Sequence, residues 1–161
     1  MTDRAVVIGL GCAHRQDDAV GLLVARRVAA THPELRVLEL DDPTALLDAW
    51  AGADTAVVVD AVQAGGEPGD IVVVDLGATP VPAGRWAGGG THALGLAAAV
   101  DLARALGALP RTLVLVGVDA AGLSAGTPMT AAVAAAVTDA ASRAAALAAD
   151  SPAVHAGRAA G

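Results

Sequence analysis

Lysine, tyrosine and phenylalanine are absent from this 161-residue chain, and cysteine occurs once. With Trp50 and Trp86 as its only aromatic side chains, the protein has no platform on which nucleobases could stack. The missing lysine removes the phosphate grip of a P-loop. All the basic residues are arginine; 10 of them face 17 acidic residues, for a formal charge of −7. They form no basic run, and a surface of this sign repels polyanions. No nucleic-acid partner is expected. Cys12 has no second cysteine to pair with, which fits a reducing compartment. There is no stretch of about 18 uninterrupted strongly apolar residues, and the start, Met1-Thr2-Asp3-Arg4, lacks a basic leader. A cytoplasmic protein without a membrane span is expected.

What the chain does have is 55% apolar residues, much of it alanine, so Val, Leu and Ile must supply most of the core. Its length suits one domain, here residues 1–150, with residues 151–161 expected as a disordered tail. Ala5–Leu10 is a short apolar run, the pattern of a strand buried on both faces. Helical spacing over Asp17–Ala30, a second strand over Leu35–Leu40, a short helix over Thr44–Trp50 behind Pro43 and a third strand over Thr55–Val59, ended by Asp60, follow. The glycine-rich connection to Ile71–Leu76 is too short for a parallel crossover, so that strand is expected antiparallel, as a hairpin with the third. Thr91 is a candidate N-cap for a helix over His92–Leu106. A fifth strand, Thr112–Val118, and a long helix, Met129–Ala149, complete an α/β three-layer sandwich: a five-stranded, mostly parallel twisted sheet with one antiparallel strand and helices on both faces. In such sheets ligands bind beyond the carboxyl ends of the strands.

Gly9 and Gly11 stand where a dinucleotide fingerprint would, but its third glycine would be His14. The acidic pair Asp17-Asp18 at the coming helix would also repel a pyrophosphate. Tight backbone geometry is the simpler role for these glycines. Asp18, Asp60 and His92 all fall at the same predicted edge. Two carboxylates and an imidazole form a donor set for a borderline divalent ion, with coordination positions left open. Taken singly, an acid at a helix start is a cap or a response to the dipole, Asp60 a strand terminator and His92 a loop residue.

Four blocks match a known pattern. Val7-Ile-Gly-Leu-Gly11 with Asp17-Asp18-Ala-Val-Gly21, Val57-Val-Val-Asp-Ala-Val62, Gly90-Thr-His-Ala-Leu-Gly-Leu96 and Leu113-Val-Leu-Val-Gly-Val118 resemble, in order, the nickel–iron hydrogenase maturation endopeptidases. The resemblance implies a peptidase that removes a carboxy-terminal extension from a hydrogenase large-subunit precursor after nickel insertion. It implies Asp18, Asp60 and His92 as the catalytic and nickel-contacting residues, with the nickel carried by the substrate. The chain departs from the family pattern at Cys12, where asparagine is usual, and at Asp41-Asp-Pro-Thr44, where Asp-Gly-Gly-Thr is common. Asp18 replaces a frequent glutamate. Asp41 is a weaker acidic candidate, and a Cys12–His14 thiol mechanism, a Rossmann-type nucleotide enzyme and a non-catalytic precursor-binding relative are the alternatives. His32 and His155 read as surface residues, and Ser124 lacks the strand–elbow–helix context of a serine hydrolase.

Overall fold

The computed structural model describes residues 4–12, 16–78, 91–121 and 128–150, with backbone alone for 91–94. His14, the glycines before Thr91, Ser124, His155 and the expected tail lie outside the described residues. Five strands, β1 (Ala5–Leu10), β2 (Arg36–Leu40), β3 (Thr55–Val62), β4 (Ile71–Asp75) and β5 (Thr112–Asp119), form one sheet in the order β2-β1-β3-β5-β4. β1, β2, β3 and β5 run parallel and β4 runs antiparallel to β5. Helices α1 (Val20–Thr31) and α4 (Ala131–Ala149) cover one face, and α2 (Leu46–Trp50) and α3 (Thr91–Ala105) the other.

Alternation in the strands builds both cores at once. Val7, Val57, Val59, Val116 and Val118 meet Val20, Val24 and Val28 of α1 and the alanine stripe of α4. Val6, Ile8, Val58, Leu113 and Leu115 meet Leu46, Trp50, Leu96 and Val100. Alanine buries little surface, but it lets α4 lie close: Ala136, Ala140, Ala144 and Ala148 are all buried against α1 and the sheet. By length and composition α4 could cross a membrane; its buried stripe makes it a core helix here.

The expected hairpin is corrected. β5 lies between β3 and β4, so those two strands are not neighbours. The connection passes over the end of β5 instead, fixed by Gly69 N–H to Asp119 O, Asp119 N–H to Asp70 O and Ala120 N–H to Val62 O, each 2.8 Å. Two strand spacings are only about 10 Å, an easy span for this connection. Element bounds also shift. A 3-10 turn over Gln16–Ala19 precedes α1, β3 continues to Val62, and α3 already includes Thr91.

The strand order reverses between β1 and β3, which makes their carboxyl ends the topological switch point of the sheet. Three glycines let the first turn and α1 press onto those ends. A Cβ on Gly11 would overlap the Asp18 carbonyl, one on Gly9 would stand 2.6 Å from Ala25 Cβ, and one on Gly21 would overlap the carbonyls of Leu10 and Val59. Gly21→Ala therefore tests the seat. Helix propensity alone favours alanine by about 1 kcal/mol, whereas forcing atoms into packed space costs about 1–3 kcal/mol. A lower urea midpoint is expected, and an unchanged or raised midpoint would show that the contact is not tight.

Candidate active site

The 3-10 turn carries both acids into the protein: Asp17 is 0% and Asp18 4% exposed. Gln16, just ahead of them, has φ 37° and is the only non-glycine residue at positive φ among the described residues. Such a backbone is sparsely populated for a side chain of this kind and is held by its surroundings. Here the hold is visible. Asp17 Oδ2 accepts from Ala121 N–H (2.9 Å), and Oδ1 accepts from Thr130 N–H (2.8 Å) and the Thr130 hydroxyl (3.0 Å). Ala121 and Thr130 flank the connection from β5 to α4, so one carboxylate ties both ends of that connection to the first turn. Asp17 thus has a structural duty at this turn.

Asp60 does not terminate its strand. It is the sixth residue of β3, 3% exposed, with Gly117 opposite it in β5. Pairing with β1 ends one residue earlier, at Gly9↔Val59, so Asp60 is the first β3 residue beyond the departing β1. The 3-10 turn contacts β3, and Asp18 and Asp60 are both buried at the switch-point end of the sheet. Asp60 Oδ1 accepts the N–H of Ala61 at 2.8 Å. By alternation Asp60 shares the face of Ala56, Val58 and Val62, which is the face under α3.

His92 is the second residue of α3. Gly95, one turn further on, abuts the Pro43 ring; a Cβ there would stand 2.6 Å from Pro43 Cγ. Pro43 opens the 3-10 turn that follows β2, capped by Asp42 Oδ1 accepting from Thr44 N–H at 2.9 Å. The start of α3 therefore lies at the carboxyl edge of the sheet, on the same face as Asp60. The His92 side chain lies outside the described residues. The proline departure is absorbed as a packing contact with Gly95, and Asp41 beside it is exposed. Cys12 follows Gly11 and is half-buried. His32 closes α1 at the opposite edge, away from Asp18 and Asp60.

Among the described residues no group of three His, Cys, Asp or Glu side chains is placed to hold a metal. One buried acid is missing from the sequence reasoning. Asp119, 3% exposed, is the last residue of β5. Its signal was the one that singled out Asp60: a carboxylate directly after an apolar strand.

The sequence model of the hydrogenase maturation proteases matches residues 32–147, over half of the chain. The chain belongs to the hydrogenase maturation protease family. That match includes Asp60 and His92; the first turn with Asp18 precedes it. Solved structures extend the likeness. An endopeptidase from Escherichia coli superposes with a TM-score of 0.81 at 24% identity, covering 92% of this chain and 94% of that one. The [NiFe] hydrogenase maturation protease HybD from Thermococcus kodakarensis gives 0.75 at 26% identity, covering 90% and 99%. HybD from Escherichia coli gives 0.69 at 26%, covering 87% and 88%. No curated protein matches by sequence. As a maturation protease the chain is a peptidase, and a Rossmann nucleotide enzyme is the poorer description. Its first turn offers two buried carboxylates where a pyrophosphate would need a positive helix end.

The Asp17 clamp is testable. Asp17→Ala leaves the N–H groups of Ala121 and Thr130 without their acceptor, a loss of about 3 kcal/mol or more, read as a fall in the denaturation midpoint. A midpoint within experimental error of the parent would refute the clamp.

Proposed function

We propose that this maturation protease removes the carboxy-terminal extension of a nickel–iron hydrogenase large-subunit precursor, with nickel arriving as part of the substrate and Asp18, Asp60 and His92 as its contacts. The observation that carries this is the burial of both Asp18 and Asp60 at the switch-point end of the sheet in a chain from this family. A buried carboxylate costs several kcal/mol unless it is compensated, and strand ends at a switch point are where α/β proteins build their sites. Two hard oxygen donors and one imidazole suit a borderline divalent ion, which would act on the scissile peptide as a Lewis acid.

The chain's own part is to position the precursor and to handle protons. A crevice walled by Asp18 and Asp60 holds a water against the peptide carbonyl and takes its proton on a carboxylate as the tetrahedral centre forms. That carboxylic acid then protonates the leaving amine. The reading places the reaction in the cytoplasm, where a lone thiol stays reduced.

Asp18→Ala, Asp60→Ala and His92→Ala should each lower precursor cleavage by about 100-fold or more, with circular dichroism unchanged. Cleavage is followed by mass spectrometry of nickel-loaded and nickel-free precursor, and only the loaded form should lose its extension. Equal processing of both forms would remove nickel from the account. Near-parental rates in all three variants would remove the site.

Cys12→Ser separates this from a thiol mechanism. Activity within about twofold of the parent is expected, since a half-buried cysteine is commonly a small packing residue. Complete loss in a folded protein would make Cys12 the nucleophile.

A further inference from the structure

A pocket opens at the same edge, at the end of β5. It has a volume of about 550 Å³ and lies between the β3–β4 connection and α4, with Ala64, Gly66, Asp70, Asp119, Asp139 and Arg143 in its wall. Asp119 Oδ1 accepts from Ala64 N–H at 2.8 Å. Its other oxygen, Oδ2, is fully buried and has no hydrogen-bond partner among the described residues. That oxygen lies beside Gly66: a Cβ placed there would be 2.6 Å from Asp119 Oδ2 and 2.9 Å from Asp70 Oδ2. Two carboxylate oxygens from different elements thus converge on one bare stretch of glycine backbone.

Three acids and one arginine leave this wall negative, and a buried carboxylate oxygen without a partner is costly until a donor reaches it. A metal ion is a poor answer. Two carboxylates supply too few oxygens for calcium, which takes six to eight, and the volume far exceeds an ion. A guanidinium answers better. It is planar, carries five N–H donors and grips carboxylates in pairs, and its long stem needs a pocket with small walls such as Ala64 and Gly66. We infer that this pocket receives an arginine side chain of the substrate polypeptide, with Asp119 and Asp70 as its counter-charges. The inference rests on the proteolytic function proposed above. Asp119 pairs in register with Val62, two residues along β3 from Asp60, a rise of about 7 Å. A polypeptide lying across the crevice can therefore reach both places at once.

The test titrates N-acetyl-L-arginine amide into the full-length protein and follows its amide resonances. N-acetyl-L-citrulline amide, equal in shape but uncharged, runs in parallel. The amides of Ala64, Gly66 and Gly69 should shift saturably with the arginine compound alone. Asp119→Asn should weaken binding about tenfold or more. Asp70→Asn, at an exposed position, keeps an acceptor for the Glu67 N–H that Asp70 now holds and should still weaken binding, so the inference survives a failure of the buried variant to fold. No saturable shift, an equal response to citrulline, or a response to calcium chloride in place of arginine overturns the assignment. Binding is read without cleavage, so precursor processing by a protein that ignores arginine defeats the pocket and leaves the protease reading intact.

Discussion

The carboxyl edge of this protein depends on how closely the first turn can approach the ends of β1 and β3. Gly9, Gly11 and Gly21 hold that distance. At each of them the backbone or Cβ of a neighbour occupies the space a side chain would need. The 3-10 turn is thereby pressed into the switch point, and its two acids are driven below the surface. Desolvating carboxylates is unfavourable, so the seat must be held from outside. The Asp17 clamp to Ala121 and Thr130 does this. One acid is spent on fastening the turn, and its neighbour is buried beside it.

This arrangement sets local stability against function. Asp17, Asp18, Asp60 and Asp119 are all buried at one edge of the sheet, while the rest of the core is aliphatic and alanine-rich. Natural cores rarely keep charged groups unless something compensates them. For Asp17 the compensation is a set of N–H and O–H donors; Asp60 accepts from Ala61 N–H and Asp119 from Ala64 N–H. The buried acids gather at the edge and the body of the sheet is left to packing, which is the division expected of a site grafted on a common fold.

Much of this was legible in the residues. Apolar runs bounded by polar turns located all five strands, because strands buried on both faces must be almost continuously apolar. The shortness of the 63–70 connection gave the direction of β4. It could not give β4's place at the edge, because reach over the top of β5 depends on a strand that comes later in the chain. Asp60 was legible as an acid against an apolar run, although its strand proved to continue to Val62. Asp119 carries the same signature and went unread, since it falls one residue past the predicted end of β5. The clamping role of Asp17 could not be read either. Adjacent acids look alike until the partners of one of them, Ala121 and Thr130, are brought from more than 100 positions away.

The central claim is that two carboxylates and one imidazole, distant in sequence, serve a single ion at the switch point. Anomalous diffraction at the nickel edge from crystals soaked in nickel tests it most directly. One strong peak is predicted in the crevice, at coordination distance from the carboxylates of Asp18 and Asp60 and the ring of His92. A peak elsewhere, with those three side chains making no contact to the ion, would contradict it.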